Sequence, residues 1–151
     1  MRIFIDTGAF IALTDADDDN HTAARNYYKD SVEKGTKFIT TNFVICETMN
    51  YFRAKISHNV SVTFRENLKK SGIIEIINVT PLLENTAFAI FKQYADKDFS
   101  FTDCTSFAIM TRLRIEQAFA IDNHFRQFGL ISFPSQADVK KTLGRRTPPK
   151  R

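Results

Sequence analysis

Two hydrophobic rhythms alternate along the chain: short apolar runs of strand type, and longer stretches in which apolar residues recur at helical spacing. Arg2 to Asp6 is such a run and ends on an acid, and Thr7 to Leu13 (TGAFIAL) reads as the start of a helix. After a polar connector at Asp15 to Asn20, Ala23, Ala24, Tyr27, Tyr28 and Val32 recur at helical spacing until Gly35 stops the pattern. Lys37 to Thr40 reads as a second strand. Thr41 or Asn42 can cap the next helix, which runs to about Ile56 with Ile45, Met49, Phe52 and Ile56 on one face. Thr63 and Glu66 have the spacing of a capping box, and Gly72 closes that helix.

Ile73 to Val79 is rich in β-branched residues, and Thr80-Pro81 pairs a cap with a proline at the first helical position. Beyond the polar stretch Asp96 to Ser100, Thr102 is placed to cap a helix through Arg114. Ala118 to Ile121 reads as a strand ending on Asp122, Asn123 to Phe128 as a short helix, and Ile131 to Phe133 as a last edge strand. Strands that alternate with helices in this way form a mainly parallel sheet, because parallel neighbours need helical crossovers. The expected fold is α/β, with four or five short strands in a central sheet and helices on both faces. Ligands of such sheets gather at the carboxyl ends of the strands.

A chain of 151 residues suits one domain and buries roughly two thirds of its unfolded surface. The reading assigns residues 1–141 to that domain and 142–151, with two prolines and four basic residues, to a mobile basic tail. The net charge of +4 is concentrated there. Six cations from Lys140 to Arg151 follow the last acid, Asp138, so everything before Lys140 holds 15 basic against 17 acidic residues. A basic groove therefore does not follow from the pI. The N-terminus lacks the apolar core of a signal peptide and no apolar run reaches membrane-spanning length, which predicts a cytoplasmic protein. Cys46 and Cys104 lie in mostly apolar helical segments and read as small buried hydrophobes, and the 15 phenylalanines as core rather than base-stacking platforms.

Candidate chemistry rests on acids. Asp6 and Asp122 each end an apolar strand, where the fold expects its site, although from position alone an Asp between strand and helix can simply cap the helix. Asp103 has a similar alternative as a first-turn acid favoured by the helix dipole. Glu47 follows Phe43, Val44, Ile45 and Cys46 in a helix that is apolar almost all round, so unless it faces solvent it needs a partner or a metal. Four gathered carboxylates repel one another unless a divalent cation joins them, and Mg2+ takes hard oxygen ligands while keeping several waters. The run Asp15, Asp17, Asp19 has calcium-loop spacing, but Asn20 stands where the loop needs Gly and Asn26 where it needs Glu. Nor do His21, His58 and His124 have metal-motif spacing, and ordinary surface or packing roles are expected of them; His124 alone stands two residues after Asp122, where its protonated ring would suit a phosphate. An aspartyl-phosphate phosphatase would need a second acid where Gly8 stands.

These same segments resemble the motifs of PIN-domain nucleases of the VapC toxin type. Asp6-Thr7-Gly8-Ala9-Phe10-Ile11-Ala12-Leu13 resembles the opening motif, and Thr41-Asn42-Phe43-Val44-Ile45-Cys46-Glu47-Thr48 the helix that carries the family's Glu. Phe99-Ser100-Phe101-Thr102-Asp103-Cys104 resembles the Ser-x-x-Asp helix start, and Ala118-Phe119-Ala120-Ile121-Asp122-Asn123-His124-Phe125 the last strand with its terminal acid. The four motifs stand in the family order and cover about residues 2 to 133. The resemblance implies a PIN-like three-layer sandwich and a Mg2+-dependent endoribonuclease, with Mn2+ able to substitute, in which Asp6, Glu47, Asp103 and Asp122 form the metal site. Thr7 and Ser100 follow as supporting polar groups, with Asp98 and His124 as further candidates. It also implies the toxin of a toxin-antitoxin pair, held by a small antitoxin and commonly a homodimer. A non-catalytic PIN fold retained for RNA or protein contacts, and a housekeeping nuclease acting on RNA or DNA, are the alternatives.

Overall fold

The computed structural model describes residues 1–135 and 137; the expected tail at 142–151 and the domain limit at 141 lie outside the described residues. Five strands, β1 (Arg2–Ile5), β2 (Lys37–Thr41), β3 (Ile74–Ile77), β4 (Gln117–Phe119) and β5 (Ile131–Phe133), alternate with helices. The helices are α1 (Thr7–Thr14), α2 (His21–Glu33), α3 (Asn42–Lys55), α4 (His58–Lys70), α5 (Pro81–Gln93), α6 (Phe101–Leu113) and α7 (His124–Gln127). The sheet runs in the order β3-β2-β1-β4-β5 and every neighbouring pair is parallel, as the alternation of elements predicts.

That order carries the functional consequence of the fold. From β1 the chain steps outward through β2 to β3, then returns past β1 to β4 and continues the other way to β5. The direction reverses between β1 and β4, and at such a switch point a crevice opens at the carboxyl ends of the strands. Asp6 follows β1 there, and its backbone N–H donates to the Phe119 carbonyl at the end of β4, at 3.0 Å. The elements that the crossovers carry cover both faces. Phe4 of β1 meets Phe125 of α7, which packs edge-on against Phe107 of α6. On the opposite face Phe38 of β2 stacks on Tyr28, and Phe119 of β4 meets Tyr27, both from α2. Alternation along a strand accounts for the two directions. Phe107 is fully buried, and truncating such a side chain costs about 3–5 kcal/mol.

Local signals explain most boundaries. Thr41 caps α3 by accepting from the Val44 N–H at 3.2 Å, and Thr80 caps α5 ahead of Pro81. Asn42, the other cap candidate, instead accepts the Val79 N–H at 2.8 Å and ties α3 to the segment after β3. Gly35 adopts φ 73°, which L side chains resist, and so ends α2 with its own N–H on Val32 and the Thr36 N–H on Ser31.

Several expectations are corrected. Thr63 and Glu66 form no capping box, because α4 already starts at His58 with Ser57 accepting from Val60 at 3.1 Å, which leaves Thr63 inside the helix. Thr102 is likewise inside the first turn of α6, and Ser100 is the cap. Cys104 is buried but Cys46 is exposed. Val32 and Ile56 are exposed too, Ser31 taking the inward position on α2. Nine phenylalanines are buried, whereas Phe88 and Phe91 of α5 are exposed at 52% and 45%. Among the described residues no helix is long and apolar enough to cross a membrane.

Candidate metal centre at the ends of β1 and β4

Asp6, at the switch point, is buried to 3% exposure. Its backbone carbonyl accepts from the N–H groups of Ala9 and Phe10 at the start of α1, but its side chain makes no cap bond. The helix-cap alternative is thereby set aside. Oδ1 is buried and has no hydrogen-bond partner. An orphaned carboxylate oxygen inside a protein is costly, and a cation bound beside it would relieve that cost. Burial raises the Asp6 pKa well above its ordinary value; the charges of Asp103 and Asp122 add to that, a backbone bond from Thr7 opposes it, and the Glu47 charge raises it further.

Glu47 comes to the same place from α3, where the Thr41 cap fixes the start of the helix. It is half-buried, and Thr7 Oγ1, at the first position of α1, donates to Glu47 Oε2. Burial raises the Glu47 pKa, the Thr7 bond lowers it, and the charges of Asp103 and Asp122 raise it again. Solvent-facing is thus the wrong description of this residue.

Asp103 is both a cap and a member of the cluster. Ser100 Oγ accepts the Asp103 N–H at 3.0 Å, while Asp103 Oδ2 accepts the Ser100 N–H at 2.9 Å, closing a reciprocal box at the start of α6. The carboxyl is 6% exposed as part of its residue. Burial raises its pKa, the bond from Ser100 lowers it, Asp122 raises it, and His124 lowers it. The Cys104 thiol, next along the helix, is pushed up to about 11, first by burial and then by the Asp103 charge.

Asp122 lies three residues beyond β4 on the exposed rim, with Oδ1 accepting the His124 N–H at 3.0 Å. The ring Nδ1 of His124 is 2.8 Å from Asp103 Oδ2 and 3.7 Å from Asp122 Oδ2. Donor atoms of Asp103, Asp122 and His124 all lie within 4.8 Å of one another. Asp6 and Glu47 are not members of this triple, but they lie close enough for the charges of Asp103 and Asp122 to raise the pKa of both. The four predicted acids, with Thr7 and His124, are therefore assembled in one place, and Ser100 supports it from behind. Asp98 is exposed on the loop before α6 and makes no bond to the cluster. Sequence reading did not foresee that His124 would meet Asp103; the Ser-x-x-Asp spacing did carry the signal for the box.

A common arrangement unites these acids. Glu47 has Oε2 engaged by Thr7, Asp103 has Oδ2 engaged by Ser100, and Asp122 has Oδ1 engaged by His124, while Asp6 keeps Oδ1 unpaired. Each can offer one further oxygen to a hard divalent cation, which suits the oxygen preference of Mg2+. A separate groove of about 990 Å³ lies between α1, α2 and α4, lined by Phe10, Leu13, Tyr28, Phe64 and Leu68, and includes none of the four acids.

The sequence profile described as PIN domain matches residues 3–130. The chain belongs to the PIN-domain family. The match spans nearly the whole described fold, so this PIN domain includes all four acids. It is 30% identical over 129 residues to the 23S rRNA-specific endonuclease VapC20 of Mycobacterium tuberculosis, covering 85% of this chain and 95% of that protein. It is 28% identical over 147 residues to a VapC ribonuclease of Archaeoglobus fulgidus, covering 96% and 84%. The crystal structure of Mycobacterium tuberculosis VapC20, described as a Sarcin-Ricin loop cleaving toxin, superposes with a TM-score of 0.79 at 28% identity, over 85% of this chain and 96% of that one.

Proposed function

We propose that this PIN-domain chain is an endoribonuclease that hydrolyses RNA phosphodiester bonds with a divalent cation, Mg2+ or in its place Mn2+, held by Asp6, Glu47, Asp103 and Asp122. The observation that carries the reading is the buried, partnerless Oδ1 of Asp6 in a crevice shared with three other acids. Nuclease activity on RNA is supported by the VapC relatives, both named as RNA-cleaving enzymes. A cation bound here neutralises charge developing on the phosphate and raises the acidity of an attacking water.

The chain's own groups set the frame for that chemistry. Thr7 fixes Glu47, the Ser100–Asp103 box fixes the start of α6, and the rigid ends of β1 and β4 hold Asp6 beside the rim acid Asp122. Overall the reaction adds water across the phosphodiester: the water oxygen bonds to phosphorus, the bond from phosphorus to the leaving sugar oxygen breaks, and that oxygen gains a proton.

As the toxin of a toxin-antitoxin pair, the protein works in the cytoplasm on cellular RNA and is held in check by a small antitoxin. A homodimer would use the face of α5 that carries Phe88 and Phe91, exposed at 52% and 45%, with Lys92 Nζ 5.0 Å over the Phe88 ring. The deciding assay is cleavage of 23S rRNA and of an unrelated labelled RNA, in Mg2+ and in chelator, by folded parent protein and by Asp103→Asn. Loss of cutting in the variant and in chelator is the expected result. Cutting that survives chelation, or proceeds at the parent rate in Asp103→Asn, overturns the reading.

A further inference from the structure

His124 reaches two of the four acids with two different atoms. Its backbone N–H donates to Asp122 Oδ1, and its ring Nδ1 sits 2.8 Å from Asp103 Oδ2, the same oxygen that accepts the Ser100 N–H. The ring itself is held, with its centroid 5.7 Å from the buried Phe99 in an edge-to-face arrangement. With Asp103 ionised the carboxylate can only accept, and the hydrogen of this bond then belongs to Nδ1. A nitrogen that donates to Asp103 has no lone pair left for a metal.

We propose that His124 is a positioning residue of the metal centre, clamping Asp103 by its ring and Asp122 by its backbone so that each carboxylate would be held in one orientation to offer its other oxygen to a cation. The inference rests on the metal reading above. A carboxylate tied at one oxygen by a box bond alone can still turn about its last torsion; a second donor on the same oxygen restricts that rotation. Groups that orient metal ligands in this way are typically worth ten- to a hundredfold in metal affinity.

The rival role is that of a ligand, since donor atoms of Asp103, Asp122 and His124 are all within 4.8 Å. Mn2+ titration by calorimetry on parent, His124→Ala, His124→Asn and His124→Gln separates the two. Asn carries an amide N–H close to where Nδ1 stood, whereas the Gln amide reaches the Nε2 position. All three variants keep the backbone N–H on Asp122. The expected pattern is Mn2+ affinity lowered about ten- to a hundredfold in Ala and Gln and largely restored in Asn. The quantity expected to move is the Mn2+ dissociation constant read by calorimetry, which needs no turnover. Nitrogen NMR of the metal-free protein is expected to find Nδ1 protonated.

Parent-like Mn2+ affinity in both Ala and Gln overturns the proposal. So does a bare Nδ1 in the metal-free protein, or electron spin echo modulation of bound Mn2+ that reports a directly coordinated nitrogen lost with the His124 ring. If Ala does not fold, the comparison of Asn with Gln decides in the same way. A parent protein that binds no Mn2+ at all fails the metal reading itself, and this proposal with it, a result distinct from parent binding with indifferent variants.

Discussion

Replacing Asp6 by Asn should make the metal-free protein more stable and the enzyme inactive. The native side chain is 3% exposed, has one oxygen without a partner, and faces the charges of Asp103, Asp122 and Glu47. Burial and that repulsion raise its pKa, so at a pH above the raised value the empty site holds an ionised group that the unfolded chain holds more easily. Each tenfold difference in proton affinity between the two states is worth about 1.4 kcal/mol. Asn keeps the shape, removes the charge, and gives its neighbours a donor in place of a repelling acceptor. A gain in stability is therefore expected, and each kcal/mol of it raises the melting temperature of a chain of this size by roughly 2–4 °C.

An ordinary substitution at a buried polar position moves the other way, losing roughly 0.5–3 kcal/mol. The assay is thermal unfolding in chelator at neutral pH beside RNA cleavage in Mg2+, on monodisperse samples of parent and Asp6→Asn. In excess Mg2+ the order should reverse, because only the parent keeps the full ligand set. A lower midpoint for Asp6→Asn in chelator, or cleavage at the parent rate, refutes the argument that this carboxylate is a strained ligand.

Saturating the parent with Mg2+ or Mn2+ at a hundred times its dissociation constant should add about 2.7 kcal/mol and raise the midpoint by roughly 5–10 °C; an unchanged midpoint counts against a preassembled site. In chelator, the raised pKa values of Asp6, Glu47 and Asp103 mean that the folded state takes up protons before the unfolded state does. Stability should therefore rise as pH falls from neutral through those raised values, the gain being complete at the ordinary carboxylate range, and Asp6→Asn should show a smaller rise; equal slopes in the two proteins exclude Asp6 as the source. Deleting Thr142–Arg151 removes four of the six terminal cations and should weaken RNA binding and flatten its salt dependence without moving the midpoint, whereas an unchanged salt slope makes the tail a bystander.

Sheet and helix order were legible because the chain states them in two independent ways. β-branched and aromatic runs such as Ile73 to Val79 mark strands, and Thr80-Pro81 or Gly35 marks where a helix begins or ends. Less legible were decisions between equivalent local signals. Ser57, Thr63, Ser100 and Thr102 are all competent caps, and which one acts depends on where the preceding turn delivers the chain. Burial of Cys46 failed for a related reason: on α3, apolar residues run nearly all round, so periodicity cannot say which side meets solvent.

The acids divide along the same line. Sequence position brought Asp6, Glu47, Asp103 and Asp122 to attention but set capping against metal binding as though the two excluded each other. Asp6 shows one resolution, since its side chain caps nothing although its carbonyl starts α1. Asp103 shows another, because its cap bond uses Oδ2 and leaves Oδ1 for a second task. A bond that starts a helix also fixes the direction of the remaining lone pairs, so under the proposed metal reading the cap would prepare a ligand rather than compete with it. This is a distinction between two oxygens of one carboxylate, some 2 Å apart on the scale of covalent geometry, and no spacing of residue types can express it. It explains why a one-dimensional motif finds the four acids while the contact of His124 with Asp103 emerges only once α6 and α7 are brought side by side.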